Sequence, residues 1–249
     1  MRTYGLIGFP LGHSFSRDYF SRKFAAEQTD AEYLNFEVQS LSELARILKT
    51  HPELDGLNVT IPHKVAVLEH LDEIDDTARK IGAVNVIVFR KDASGRTGLK
   101  GYNSDVTGFE QSLAPLLGPS HRKALILGTG GSSKAVCHGL ERLGLEPLFV
   151  SRTEREGCLT YGDLSPALMA ERRLIVNTTP LGMFPNVQGC PPIPYELLSS
   201  QHLLYDLIYN PEETLFMRKG REHGASVKNG LEMLHLQAAA AWTLWNRHE

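Results

Sequence analysis

Short runs of apolar residues alternate with amphipathic stretches along most of this 249-residue chain. The apolar runs are rich in Val, Ile, Leu and Tyr, and their alternation predicts an α/β protein whose largely parallel sheets are covered by helices. Strands are predicted at residues 4–8, 33–38, 57–61 and 84–89, and then at 124–127, 147–150, 174–176 and 203–208. The length allows one large α/β domain or two small ones.

Helices are predicted between these strands and at the end of the chain. They lie at residues 16–27, 41–48 and 64–71, from about Ile74 to a stop at Gly82, from Ser104 or Asp105 toward Leu117, and at 231–245. A second α/β series starts at Lys123, and a domain boundary is expected before it, where the chain crosses near residues 98–104 ahead of the helix that starts at Ser104 or Asp105. The terminal helix has no strand after it and must pack on an earlier part of the chain.

Charge and cysteine content narrow the class of protein. The net charge is −3, from 26 basic and 29 acidic residues, which argues against nucleic acid and against an anionic membrane surface as partners. Three scattered cysteines are too few for a disulfide framework or a thiolate zinc site, so a reducing compartment and no metal are expected. No signal-peptide pattern and no bilayer-spanning apolar stretch is found, so we expect a cytoplasmic protein that binds a small molecule.

A glycine-rich turn follows the predicted strand at residues 124–127. Gly128, Gly130 and Gly131 lie between that strand and a helix start. Such glycines allow a tight turn and let backbone amides approach a pyrophosphate at the helix N-terminus. The match to a dinucleotide-binding turn is imperfect, because Ser133 occupies the position of the third small residue. The alternative is a sharp strand-to-helix turn without a ligand.

The residues after the next predicted strand bear on which dinucleotide would bind. NAD sites place an acidic residue there to hold the ribose hydroxyls, whereas this chain reads Ser151-Arg152-Thr153-Glu154-Arg155. Guanidinium groups pair with phosphate through charge-assisted hydrogen bonds, so the sequence predicts NADP rather than NAD. The alternative is that both arginines are solvated loop residues, as most arginines are.

Polar residues in the first half of the chain are candidates for a binding site. Ser14 and Ser16 lie at a predicted helix start, where two hydroxyls and the helix amides can hold a carboxylate. Simple helix capping is the alternative. Asn58 and Thr60 are two residues apart, so a strand presents both on one face. Asn85 interrupts an apolar run and needs a partner or a ligand.

Lys64 and Asp105 are the candidates for proton transfer. Lys64 stands in the first turn of a predicted helix, where the partial positive charge of the helix start disfavours a second cation and so favours proton exchange. Asp105 lies at the predicted domain boundary. A lysine and an aspartate that meet in a cleft can handle a proton at a hydroxyl. The alternatives are a surface lysine and a helix-capping aspartate.

Taken together, these residues resemble the shikimate dehydrogenase family over nearly the whole chain. The resemblance rests on segments in the family's order: 13–16 (HSFS), 58–64 (NVTIPHK), 81–85 (IGAVN), 103–105 (NSD), 128–131 (GTGG), 151–153 (SRT), 177–183 (NTTPLGM), and 229–233 (NGLEM) followed by Gln237. No single segment is specific, but their order is not expected by chance.

The resemblance implies an α/β substrate domain of residues 1–103 and 231–249, closed by the returning C-terminal helix, and a Rossmann-type NADP-binding domain of residues 104–230. It implies reversible NADPH-dependent reduction of 3-dehydroshikimate to shikimate, in aromatic amino acid biosynthesis, with Lys64 and Asp105 as the catalytic pair. The implied substrate-binding residues are Ser14, Ser16, Asn58, Thr60, Asn85, Tyr209 and Gln237. The implied cofactor-binding residues are Asp76, Gly128, Thr129, Gly130, Gly131, Ser132, Ser151, Arg152, Thr153, Arg155, Thr178, Leu207, Gly230 and Met233.

Two residues depart from the family's usual pattern. Arg17 stands where a proline usually follows the second serine, and Thr129 replaces an alanine in the glycine turn. Neither change removes a group that the chemistry needs. The chain is short for the family, and it is expected to be a monomer or a homodimer.

Two other functions are open on the sequence. The nearer one is a quinate/shikimate dehydrogenase of relaxed specificity, against which the two serines at the predicted helix start and Arg152 argue. The other is a noncatalytic sensor of NADP or a cyclic acid, against which the presence of both Lys64 and Asp105 argues.

Overall fold

The computed structural model describes residues 1–12, 15–91 and 97–247, and the chain divides into two compact units. Unit 1 comprises Met1–Ser104 with Ala238–Glu249, and unit 2 comprises Asp105–Gln237. The point at which the chain returns from unit 2 to unit 1 therefore falls between Gln237 and Ala238, inside the terminal helix. The sequence analysis places this point after residue 230.

Unit 1 is built on a mixed sheet with helices on it. Its elements are β1 (Arg2–Gly8), α1 (Phe15–Ala26), β2 (Ala31–Glu37), α2 (Leu44–Thr50), β3 (Leu54–Val59), β4 (Glu73–Ile74), α3 (Asp76–Ile81), β5 (Val86–Lys91) and β6 (Thr97–Tyr102), with 3-10 segments at Leu41–Glu43 and Ala66–His70. The strand order is β2-β1-β3-β5-β6-β4. β1 pairs in parallel with β2 and β3, whereas β5 is antiparallel to β3 and β6.

Residues 57–71 differ from their predicted structure. β3 ends at Val59, so Thr60 follows the strand instead of extending it. The predicted helix at 64–71 is wrong, because residues 61–65 form a turn and only Ala66–His70 is helical, as a 3-10 segment. β-Branched residues such as Val65 and Val67 favour α-helix weakly. The spacing of apolar residues in 64–71 therefore did not predict the local structure correctly.

Two strands of unit 1 were not predicted. β4 has two residues, and β6 contains Gly98 and Gly101. Glycine is depleted in strands, so a strand that contains glycine lacks the residue types by which strands are predicted from sequence. β6 is a strand because it pairs with β5 along its length, from Val86–Tyr102 to Lys91–Thr97.

The terminal helix α8 (Leu231–Trp245) has its predicted bounds, and its last part belongs to unit 1. Trp245 is buried there, with its indole nitrogen donating to the carbonyl of Ile87 at 3.1 Å and its ring stacked on Tyr4 at 4.6 Å. A Cβ on Gly56 would overlap this indole. The expected return of the terminal helix to the first part of the chain is confirmed.

Unit 2 is built on a sheet whose strand pairs are all parallel. Its elements before α8 are α4 (Asp105–Leu113), β7 (Lys123–Leu127), α5 (Gly131–Arg142), β8 (Glu146–Ser151), β9 (Cys158–Thr160), α6 (Pro166–Glu171), β10 (Leu174–Asn177), β11 (Leu203–Asp206), α7 (Leu215–Glu222) and β12 (Ser226–Lys228), with 3-10 segments at Ala114–Leu116, Tyr161–Asp163 and Tyr195–Leu197. The strand order is β12-β11-β10-β7-β8-β9.

The strand order of unit 2 positions a ligand site. β8 lies on one side of β7 and β10 on the other, so the chain changes direction across the sheet at β7. Open α/β sheets bind ligands outside the carboxyl ends of their strands at such a point. Leu125 and Leu127 face one apolar core, whereas Ala124 and Ile126 face the other. Burial on both faces explains why β7 reads as a continuous apolar run.

Candidate active site

The serine pair predicted in unit 1 is described only in part. Ser14 lies outside the described residues, so its role stays a prediction. Ser16 is the second residue of α1 and is half-buried. Its hydroxyl forms a hydrogen bond with the hydroxyl of Tyr33. Ser16 therefore contacts a residue that no sequence motif singled out.

Asn58 is held by hydrogen bonds at both ends of its carboxamide. Its Oδ1 accepts a hydrogen bond from the Tyr33 hydroxyl at 2.8 Å, and its Nδ2 donates to the carbonyl of Asn85 at 3.3 Å. Burial raises the pKa of Tyr33 well above its usual value, and the hydrogen bond from Ser16 opposes this only in part. The phenol is therefore a neutral donor near pH 7.

Asn85 has the partner that a polar residue in an apolar run needs. It is 3% exposed, its Oδ1 accepts from the backbone N–H of Ser104 at 2.7 Å, and its Nδ2 donates to the Ser104 hydroxyl at 3.0 Å. Asn103 donates to the carbonyl of Ala83 at 2.9 Å. These bonds fix the two residues that directly precede Asp105.

Thr60 and Lys64 lie in the connection after β3. The backbone N–H of Thr60 donates to the carbonyl of Ile7 at 2.9 Å, and the carbonyl of Lys64 accepts from Val84 at 2.8 Å. The Lys64 side chain is half-buried, but the residue precedes a 3-10 segment and is not in the first turn of an α-helix. The helix-charge argument for its proton exchange therefore has no basis in the structure.

Asp76 is the exposed first residue of α3. Its neighbour Asp75 caps the helix, because the Asp75 carboxylate accepts from the backbone of Thr77 at 3.0 Å. Asp75, and not Asp76, therefore caps the start of α3. The helix stops at Gly82, as predicted, where the φ of 67° is in the left-handed region. The cofactor role of Asp76 stays a prediction.

The glycine turn of unit 2 joins β7 to α5. Gly128 has a φ of 107°, in the left-handed region that favours glycine. A Cβ there would lie 2.8 Å from Thr178 Oγ1, whereas a Cβ on Gly130 would project into open space. Helix α5 starts at Gly131 and directs its first amides, including that of Ser132, toward the turn. This arrangement fits the predicted binding of a pyrophosphate.

The third small position of the turn is explained by packing. Ser133 is fully buried, and its hydroxyl donates to the carbonyl of Gly130 at 2.7 Å. A serine is small enough for this place and stabilises the turn. The imperfect match to the dinucleotide pattern therefore leaves the turn geometry intact.

The segment after β8 brings a guanidinium group to the glycine turn. Arg155 Nη1 donates to Thr129 Oγ1 at 3.1 Å. The hydroxyl of Ser151 accepts from the backbone N–H of Thr153 at 3.3 Å, and Arg152 is exposed. Arg155 thus places one cation at the turn, and the exposed Arg152 lies in the same segment. Such groups fit the 2′-phosphate of NADP.

Further predicted cofactor residues lie directly after β10 and β11 and at the start of α8. The Thr178 hydroxyl donates to the carbonyl of Leu127 at 2.7 Å. Gly230 packs so closely on Leu207 that a Cβ would overlap the Leu207 carbonyl oxygen. Met233 is 7% exposed and belongs to an apolar core of unit 2.

Tyr209 and Gln237 are the predicted substrate-binding residues of unit 2. Tyr209 is 37% exposed, and burial of the rest of its side chain raises the pKa of its hydroxyl. Gln237 lies on α8, where its backbone and Cβ pack at Gly108 of α4. Their roles toward a substrate stay predictions.

Asp105 begins α4 and is only 2% exposed. It belongs to unit 2, whereas Lys64 belongs to unit 1. Their predicted pairing stays a prediction.

Asp206 is a buried acid that sequence reasoning missed. Its Oδ1 accepts from Asn177 at 3.0 Å and from the backbone of Ile208 at 3.1 Å, and its Oδ2 accepts from Thr214 at 2.6 Å. Burial raises its pKa to about 6, against the opposing effect of these donors. Asp206 thereby ties the ends of β10 and β11 to the loop that leads to Tyr209.

We expect Asp206 to make stability depend on pH. Its pKa is about 6 in the folded protein and 3.8 by reference, so the folded state binds the proton more tightly. Relative to the non-titrating Asp206→Asn variant, the unfolding free energy of the wild type should fall by about 2 kcal/mol between pH 4 and 6 and level off above about pH 7. Urea unfolding of both proteins from pH 4 to 8 measures this difference. A difference that rises with pH would mean that the three donors hold the carboxylate as an anion.

Within residues 1–12, 15–91 and 97–247, no group of three or more His, Cys, Asp or Glu side chains is placed to hold a metal ion. In that same part of the chain, no helix has the length and apolar character needed to cross a bilayer.

Comparison with known proteins gives consistent matches. The model of the shikimate dehydrogenase substrate binding domain matches residues 6–87. The shikimate dehydrogenase (NADP(+)) of Caldanaerobacter subterraneus subsp. tengcongensis is 37% identical over 98% of this chain and 91% of its own.

Solved structures match over the full length as well. A chorismate mutase/shikimate 5-dehydrogenase fusion protein from Clostridium acetobutylicum has a TM-score of 0.87 at 35% identity, covering 99% of this chain and 91% of that one. Shikimate 5-dehydrogenase from Thermus thermophilus, in complex with NADP(H) and shikimate, has a TM-score of 0.85 at 30% identity, covering 99% and 94%.

Proposed function

The chain belongs to the shikimate dehydrogenase family, and from this premise we propose how its residues carry out the reaction. It is an NADP-dependent oxidoreductase that interconverts 3-dehydroshikimate and shikimate. The observation that carries this conclusion is the similarity to NADP-dependent shikimate dehydrogenases over 98% of the chain.

The catalytic roles are proposed for Lys64 and Asp105. NADPH supplies the hydride when it is bound, and the protein has to align the ring carbonyl and manage its proton. Lys64 donates a proton to the carbonyl oxygen as it becomes a hydroxyl, and takes the proton back in the reverse direction. Asp105 orients the lysine and the hydroxyl.

The substrate-binding roles are proposed for polar residues of both units. Ser14 and Ser16 hold the carboxylate of the substrate. Ring hydroxyls are bound by Asn58, Thr60, Asn85, Tyr209 and Gln237. The hydrogen bonds that already fix Asn58 and Asn85 support this, because preorganised groups lose less entropy on binding.

The cofactor-binding roles are proposed for the glycine turn and the segment after β8. The open space over Gly130 and the start of α5 support a pyrophosphate site. Arg152 and Arg155 take the 2′-phosphate, with Ser151 and Thr153 beside them. Residues Thr178, Leu207, Gly230 and Met233 border the nicotinamide, and Asp76 is assigned to the cofactor on resemblance alone.

We expect the Arg152→Ala variant to distinguish NADP from NAD. Loss of a charge-assisted hydrogen bond to phosphate should raise the KM for NADP by about 10- to 100-fold, whereas the KM for NAD should change little. Steady-state kinetics with both cofactors measure this. Arg218→Ala removes another exposed arginine of unit 2 and should leave both values unchanged. Equal losses with NADP and NAD in Arg152→Ala would contradict the assignment.

The activity itself is tested by mixing the purified protein with shikimate and NADP and following the absorbance of the reduced cofactor. Parallel assays with quinate and with NAD measure the breadth of specificity. Clear preference for shikimate and NADP is expected. Comparable rates with quinate and shikimate would support a quinate/shikimate dehydrogenase of relaxed specificity. No turnover with any combination of substrate and cofactor would contradict an enzymatic role.

We also propose, as the sequence predicts, that the protein works in the cytoplasm as a monomer or a homodimer. Light scattering coupled to size-exclusion chromatography measures the oligomeric state.

A further inference from the structure

Tyr33 connects two residues to which substrate-binding roles are proposed. It lies in β2 and is 3% exposed. Its hydroxyl donates to Asn58 Oδ1 at 2.8 Å and forms a second hydrogen bond with Ser16. A phenol has one proton, and in this arrangement that proton goes to Asn58. The three side chains form one chain of hydrogen bonds.

The bonds to Asn58 decide which of its groups a ligand can use. A carboxamide has two donor hydrogens and two acceptor lone pairs. Tyr33 takes one lone pair of Oδ1, and the carbonyl of Asn85 takes one hydrogen of Nδ2 at 3.3 Å. A flip of the amide would place Nδ2 against the Tyr33 hydroxyl and Oδ1 against the Asn85 carbonyl. Two acceptors would then face each other at Asn85, so its carbonyl excludes the flipped amide, and the shorter bond from Tyr33 holds the carboxamide in the remaining orientation.

We propose that Tyr33 is a positioning residue for the substrate, whose hydroxyl fixes the carboxamide of Asn58 in the orientation that binds a ring hydroxyl of shikimate. This inference rests on the proposed substrate role of Asn58. Tyr33 touches neither substrate nor cofactor in this role and acts through Asn58.

The ring of Tyr33 is held independently of its hydroxyl. It stacks on Phe20 with the ring centroids 4.8 Å apart and the planes within 10°, and it packs near Trp245 in the same apolar core. Phenylalanine retains this packing. Tyr33→Phe therefore removes the hydrogen bond and leaves the side chain in place.

Tyr4 offers a matched control in the same core. It is fully buried in β1, and its hydroxyl has no hydrogen-bond partner among the described residues. Tyr4→Phe removes a buried phenolic hydroxyl just as Tyr33→Phe does, but no substrate-binding residue depends on it. Its kinetic constants should equal those of the wild type.

The test is the steady-state kinetics of Tyr33→Phe with shikimate and NADP. Loss of one hydrogen bond should raise the KM for shikimate about fivefold, with kcat and the KM for NADP unchanged. A KM for shikimate equal to that of the wild type would overturn the proposal. So would an equal rise in Tyr4→Phe, because the effect would then belong to the core and not to Asn58.

A double-mutant cycle with Asn58→Ala separates positioning from a structural role. In the Asn58→Ala background there is no carboxamide to orient, so Tyr33→Phe should raise the KM for shikimate no further. A further rise of the same size would overturn the proposal and leave the substrate role of Asn58 standing. If Asn58→Ala alone leaves the KM unchanged, the proposed role of Asn58 is wrong and the inference about Tyr33 falls with it.

Discussion

The Lys64→Ala variant is expected to lose about 10²- to 10⁴-fold in kcat, the usual contribution of a positioned proton donor. The KM for shikimate should change little, because the interaction of Lys64 with the oxygen is stronger in the transition state than in the ground state. The backbone at Lys64 is held by the hydrogen bond from Val84 to its carbonyl, which the substitution retains. Steady-state kinetics with shikimate and NADP measure both constants.

Two further variants test whether the loss is specific to Lys64 and whether it comes from proton donation. Lys49→Ala removes an exposed lysine of the same unit and should keep the wild-type kcat. Lys64→Arg keeps the positive charge in a group that does not give up its proton. A proton donor predicts that Lys64→Arg is as poor as Lys64→Ala, whereas purely electrostatic stabilisation predicts partial recovery. Near-normal turnover of Lys64→Ala would contradict the catalytic assignment.

The Asp105→Asn variant is expected to lose about 10²-fold in kcat, at the lower end of the range for acid–base groups. Asparagine keeps the size of the side chain but lacks the charge that would orient the lysine. Since Asp105 is only 2% exposed, the near-isosteric change avoids a cavity. Kinetics and thermal unfolding of the same preparation measure activity and stability together.

Asp18→Asn is the matched control for Asp105→Asn. Asp18 is also an acidic residue in the first turn of a helix, but it is exposed. Both substitutions lose the favourable interaction of a carboxylate with a helix start, worth about 0.3–1 kcal/mol. Only Asp105→Asn should lose activity. Comparable kcat in both variants would mean that Asp105 has a capping role and no catalytic one.

Much of the fold could be predicted because apolar periodicity reports burial directly. β7 and β10 are short apolar runs buried on both faces, and α8 begins and ends where its pattern does. The strands that were not predicted lie where the apolar periodicity is weak. β6 has two glycines, and its pairing with β5 makes it a strand.

The candidate site could be predicted in its residues more than in its geometry. The glycine turn was found because its φ requirement restricts the residue type at Gly128. The α-helix predicted at residues 64–71 was wrong, because so short a segment has too few residues to distinguish an α-helix from a 3-10 segment. Tyr33 and Asp206 were missed because their partners are distant in sequence, with Asn58 25 residues from Tyr33 and Asn177 29 residues from Asp206.

By itself, the sequence determined the α/β class, the glycine turn and the NADP preference, because each depends on residue type and short-range spacing. The proposed catalytic residues came from the resemblance to the family, which rests on the order of several segments along the chain. Only the tertiary structure decided that Lys64 precedes a 3-10 segment, that Tyr33 holds Asn58, and that Asp206 ties two strand ends together. Hydrogen bonds between residues far apart in the chain leave no periodic signal, since their geometry exists only once the strands have paired.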